Sequence, residues 1–139
     1  TINYVDDENQ SLQDAYTESK NSGDSYSFDV SSDTTGTIPF IIDMGETQYV
    51  FNQIKSGSSP LEGTVASAVN ITAEYLLDSD KDGTPDAYEA TVTYKVVNGT
   101  WSDGSTTDKT EKFNLKKFNH TTNAWESANP TLGSTIPPA

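Results

Sequence analysis

The chain of 139 residues contains no cysteine, one histidine and one methionine. Without cysteine there is no disulfide framework, no thiolate metal site and no thiol nucleophile. The one histidine, His120, is the only base a Ser–His–Asp arrangement could use, and its setting in Asn119-His120-Thr121-Thr122 reads as an exposed turn. Basic residues are scarce as well. Eight Lys+Arg stand against 21 Asp+Glu, for a formal net charge of −13 and a pI near 4.1. That balance opposes nucleic-acid phosphates and anionic lipid, and favours divalent cations. No apolar run reaches the ~20 residues that span a bilayer, so no membrane insertion is expected within this chain. No signal-peptide pattern is present, and the start at Thr1 reads as a mature product or an excised segment.

Hydrophobic residues make up 32% of the chain, which is low for one ordinary core, while 10% aromatics argue against a wholly disordered chain. The expected object is thin and β-rich. Small cores of this kind usually need a staple, and with cysteine absent a bound metal is the natural one.

Strand signals dominate what is present. Ile2 and Tyr4 alternate with polar residues, as do Tyr26, Phe28 and Val30, then Phe40 and Ile42, Tyr49 and Phe51. Ile71, Ala73, Tyr75 and Leu77 continue the period, followed by Val92, Tyr94 and Val96, and by Phe113 and Leu115. Period two puts each set on one face of a sheet. Residues 11–19 carry only Leu12, Ala15 and Tyr16 as apolar positions, so strand is favoured over helix there. Asn98-Gly99 is expected to close a tight hairpin. The chain divides into a β module over residues 1–77, a linker over 78–89 and a partial β module over 90–139.

The linker reads Asp78-Ser79-Asp80-Lys81-Asp82-Gly83-Thr84-Pro85-Asp86-Ala87-Tyr88-Glu89. It fits the twelve-residue calcium pattern D-x-D-x-D-G-x₅-E in full. Calcium takes six to eight oxygens, and short acidic side chains at alternate positions of a curling loop supply them. The expected ligands are Asp78, Asp80, Asp82, the carbonyl of Thr84, Asp86 directly or through water, and Glu89 with both oxygens. Gly83 allows the sharp turn. The flanks are strand-like, so this is not an EF-hand between two helices. A lone loop that stiffens a junction is expected, with Ca2+ as the cofactor.

Two resemblances add to this reading. Tyr4-Val5-Asp6, Ser11-Leu12, Gly23-Asp24-Ser25-Tyr26, Leu61-Glu62-Gly63-Thr64 and Ile71-Thr72-Ala73-Glu74-Tyr75 resemble the MucBP-type modules of Gram-positive surface proteins. Asn9-Gln10 stands where that family usually has a glycine. The resemblance covers most of residues 1–77 and implies a β-grasp-like fold, with α+β as an option, in a cell-wall-anchored adhesin or stalk. Asp82-Gly83-Thr84-Pro85-Asp86, then Val92-Thr93-Tyr94-Lys95-Val96-Val97-Asn98-Gly99-Thr100-Trp101, resembles the SHIRT-type repeats of Firmicutes surface proteins.

The chain is therefore read as mainly β, with two small β-rich modules joined by a calcium-binding linker. Its expected role is non-enzymatic: a calcium-stiffened stalk segment of a bacterial adhesin-like protein, extracellular and anchored to the cell wall through a region outside this chain. Its partners would be neighbouring modules of the same protein. The alternative is a carbohydrate- or mucin-binding module that contacts host glycans. Trp101 and Trp125 are the candidate glycan contacts, because an indole face stacks on a sugar ring; packing is the competing use of both.

Overall fold

Alternating apolar residues and β-branched runs do form strands. A computed structural model describes residues 1–95, 99–100, 104, 106 and 108–128. Among these lie β1 (Ile2–Val5), β2 (Ser11–Tyr16), β3 (Ser25–Ser27), β4 (Ile41–Asp43), β5 (Gln48–Ile54), β6 (Glu62–Thr64) and β7 (Ile71–Asp78). After the acidic loop come β8 (Glu89–Tyr94), β9 (Lys109–Asn114), β10 (Lys116–Asn119) and β11 (Ala124–Ser127). The protein is mainly β. The described residues contain no α-helix, only a 3-10 turn at Asp86–Tyr88, so the helix that an α+β option requires is not found there.

The main sheet has the order β2-β1-β7-β5-β4. Its central strand, β7, runs parallel to β1, with Ile2 opposite Ile71 and Val5 opposite Glu74. It runs antiparallel to β5, with Gln48 opposite Asp78 and Ile54 opposite Ala73. Three two-stranded ribbons accompany the sheet: β3 with β6, β8 with β9, and β10 with β11. Asn9, in the connection from β1 to β2, adopts φ 62°, a left-handed conformation that Asn tolerates better than most residues.

The core gathers Ile2, Tyr4, Ile38, Phe40, Ile42, Val50, Phe51, Ile71, Ala73 and Tyr75. Tyr75 is fully buried, and its hydroxyl donates to the Pro39 carbonyl at 2.6 Å, which satisfies its one polar atom. Two details depart from strict period two. Leu77, expected on the face of Ile71, Ala73 and Tyr75, is 41% exposed at the end of β7. Val50 is buried along with its neighbour Phe51, so both faces of β5 are covered at this point. Directly after Phe51 a bulge interrupts the β5–β7 pairing, so that Phe51 faces Tyr75 and Gln53 faces Glu74. The residue skipped, Asn52, turns its amide to the buried Glu74 at 2.7 Å.

Segments after the acidic loop return to the core built before it. Phe118 of β10 packs against Phe40 and Phe51, with ring centroids 4.8 and 5.9 Å away. Trp125 of β11 lies 6.3 Å from Phe40, and its indole N–H donates to the Phe51 carbonyl at 2.8 Å. The division drawn at residues 77 and 90 therefore does not mark a break in the packing. The contacts are aromatic: Phe118, His120 and Trp125 lie against Phe40, and the Trp125 N–H reaches the backbone of β5 at Phe51. The β8–β9 pairing is described as far as Tyr94 opposite Lys109, and Asn98 of the expected Asn98-Gly99 turn lies outside the described residues.

Candidate metal centre

β7 ends at Asp78 and β8 begins at Glu89, so the two ends of the acidic loop are fixed by strands. Asp78 is fully buried. Its Oδ2 accepts the Gln48 side-chain amide and the Gly83 backbone N–H, each at 2.8 Å, and its Oδ1 accepts the Asp82 N–H at 3.3 Å. The loop thus curls around one carboxylate. Two residues take the left-handed conformation that the curl needs, Lys81 at φ 58° and Gly83 at φ 88°. Gly83 does so without steric cost. Lys81 is held by its ammonium, which donates to the Gly45 carbonyl and pairs with Asp43 at 3.2 Å.

The second half of the loop is fastened from within and below. Asp82 Oδ1 accepts the Thr84 N–H at 2.9 Å, and Asp86 Oδ1 accepts the Ser79 N–H at 3.0 Å. Pro85 is fully buried ahead of the 3-10 turn. Tyr88 closes that turn onto the body: its hydroxyl donates to Asn52 Oδ1, its ring lies 5.2 Å from Trp125, and the Lys116 ammonium sits 4.5 Å above its centroid.

Within this frame Asp78, Asp80, Asp82 and Glu89 each offer a carboxylate oxygen, all within 4.8 Å of one another. Oxygens bound to one calcium at about 2.3–2.6 Å lie no more than about 5 Å apart, so the four fit a single coordination sphere. Glu89 is the least satisfied of the four. Its side chain is 9% exposed, and its Oε1 is buried with no hydrogen-bond partner. Burial, and then the neighbouring Asp82, with Asp86 and Asp78 adding to it, push its carboxyl up to about 8. Its Oε2 meets the Lys112 ammonium of β9 at 2.8 Å. The same ammonium contacts Asp80, and Asp82 at 3.3 Å.

No family model, curated protein or solved structure matches this chain. The site is accordingly read from its own chemistry.

Of the six expected ligands, four carboxylates come together: Asp78, Asp80, Asp82 and Glu89. Asp86 is not among the four and instead latches the loop through Ser79. Thr84 is buried within the curl, where its carbonyl is the group expected to bind. Two participants escaped the sequence reading. Gln48 has no motif to mark it; only the β5–β7 register sets it opposite Asp78. Lys112 lies in a cluster with Lys109, Lys116 and Lys117 that reads as a solvated basic face, and only the β8–β9 pairing brings it to the acids.

The proposed glycan contacts separate. Trp101 lies outside the described residues. Trp125 has its N–H engaged by Phe51 and its ring against Phe40, Phe118 and Tyr88. The ring of His120 lies against Phe40 and Phe118, at 5.0 and 4.7 Å.

Proposed function

We propose that residues 78–89 bind calcium, and that the chain is a calcium-stiffened, non-catalytic structural segment of a bacterial cell-surface adhesin-like protein. The observation that carries the calcium reading is the buried, unpartnered Oε1 of Glu89 in a cluster with three aspartates. A hard divalent cation is the ligand that such a set of oxygens suits best, since it relieves like-charge repulsion and satisfies the stranded atom together. Stiffening follows from where the loop is attached. It joins the central strand β7 to the β8–β9 ribbon and touches the β4–β5 turn through Lys81. An ion held by both ends of the loop would fix these parts to one another. The extracellular, wall-anchored setting and the role of neighbouring modules as partners rest on the MucBP-like and SHIRT-like motifs. The parallel β1–β7 pair at the centre of the sheet supports the β-grasp-like form they imply.

Limited proteolysis with and without calcium tests this reading. Calcium should slow cleavage within residues 78–89 of the native chain, and Asp80→Ala should remove that protection. Equal cleavage in calcium and in chelator would contradict it.

A groove favours the alternative, glycan recognition, at a place other than Trp125. It measures about 370 Å³, and its lining includes Tyr16, Tyr26 and Phe28 together with the Glu18–Lys20 pair, 3.4 Å apart. Aromatic faces beside paired charged groups suit a sugar ring. Glycan-array binding that is lost in Tyr16→Ala would favour this second reading over the first.

A further inference from the structure

The cation now at the acidic cluster belongs to the chain itself. Glu89 pairs with Asn114 across the β8–β9 ribbon, and Thr91 with Lys112. Lys112 and Asn114 are two residues apart on one strand, so they share a face, and Lys112 is the diagonal neighbour of Glu89. Its ammonium reaches Asp80, Asp82 and Glu89 Oε2. Its hydrogen bonds go to Asp80 and Asp82, and Glu89 Oε2 is its ion-pair partner at 2.8 Å. The remaining groups are served otherwise or left over. Asp78 takes its donors from Gln48 and the loop backbone, and Glu89 Oε1 has none.

We propose that Lys112 is a built-in counter-ion, which fills the site while no metal is present and must be expelled when a divalent cation enters. This rests on the calcium reading above and names the regulation of that same site. Three of the four clustered carboxylates touch the ammonium, so a metal bound to the cluster shares ligand oxygens with it or sits beside it. Two positive charges at that separation repel strongly. The lysine is also the group that can leave. Its side chain is 41% exposed, its stem is long and flexible, and solvent is adjacent. The loop therefore exchanges a monovalent intramolecular cation for a divalent external one. Calcium affinity is set by the difference between the two, and occupancy is felt on β9.

Two measurements on the full chain test this. In a calcium titration against a fluorescent chelator, Lys112→Met removes the competitor and should tighten binding on the order of tenfold. In the native chain, mass spectrometry after labelling with an amine-reactive acetylating reagent should show Lys112 protected in chelator and severalfold more reactive in calcium. The second measurement needs no substitution, so it stands even if Lys112→Met weakens the fold. Unchanged or weaker calcium binding by Lys112→Met, or equal labelling of Lys112 in both conditions, would overturn the exchange while leaving the calcium site standing. Absence of calcium binding in both native chain and variant would overturn the site and the exchange together.

Discussion

Asp78 and Glu89 bracket the same loop, yet the fold treats them differently. Asp78 is buried with three hydrogen-bond donors aimed at it, so its charge is compensated before any ion arrives. Glu89 is half-buried, with one oxygen paired to Lys112 and the other, Oε1, buried and left alone. The first organises the loop, and the second is left in need of a cation. Gln48 is what makes Asp78 an organiser. Gln48→Ala removes a donor from a buried carboxylate, which should cost about 1.5–3 kcal/mol of stability in urea denaturation without calcium. Because Gln48 orients a ligand from behind, calcium affinity should also fall by about 10- to 100-fold. An affinity equal to that of the native chain would show that Asp78 does not depend on it. At this scale the sequence announced the ligands but not their supports. Asp78, Asp80, Asp82, Gly83 and Glu89 form a contiguous pattern with fixed spacing. Gln48 and Lys112 act across strand pairings, and pairings are not written in local spacing.

The strands legible from alternation were those with apolar or β-branched residues at every second place, as in β1, β5, β7 and β8. β6 and β10 were not, for a physical reason. Glu62-Gly63-Thr64 has no apolar side chain, and Lys116-Lys117-Phe118-Asn119 has one. These strands form because their partners present an edge, not because their own residues favour a face. The β10–β11 ribbon is the larger consequence. Reading residues 90–139 as a separate module missed that Phe118 and Trp125 cover the core made by residues before the loop. The partial burial of Trp125 against the core leads to a definite expectation. Trp125→Ala should lower stability by about 3 kcal/mol in chemical denaturation, since the ring packs on Phe40, Phe118 and Tyr88 and its N–H has a backbone partner. A residue whose main work was to touch sugar would shift stability by no more than about 0.5 kcal/mol.

For the molecule as a whole, a net charge of −13 and a small core pull in the same direction. Self-repulsion opens a chain that has little apolar area to close it and no disulfide to hold it. The carboxylates of the acidic loop concentrate that repulsion where β7 passes to β8, and Lys112 offsets only part of it. A bound divalent ion would turn the most repulsive segment into a clamp, which is the reason for reading the loop as the staple that cysteine does not provide. Isothermal titration calorimetry of the native chain with calcium chloride tests this most directly. One site per chain with a Kd between about 10⁻⁶ and 10⁻³ M is expected, with loss of that heat in a variant carrying Asp80→Ala and Glu89→Gln. No heat at millimolar calcium, or the same heat from the double variant, would contradict it.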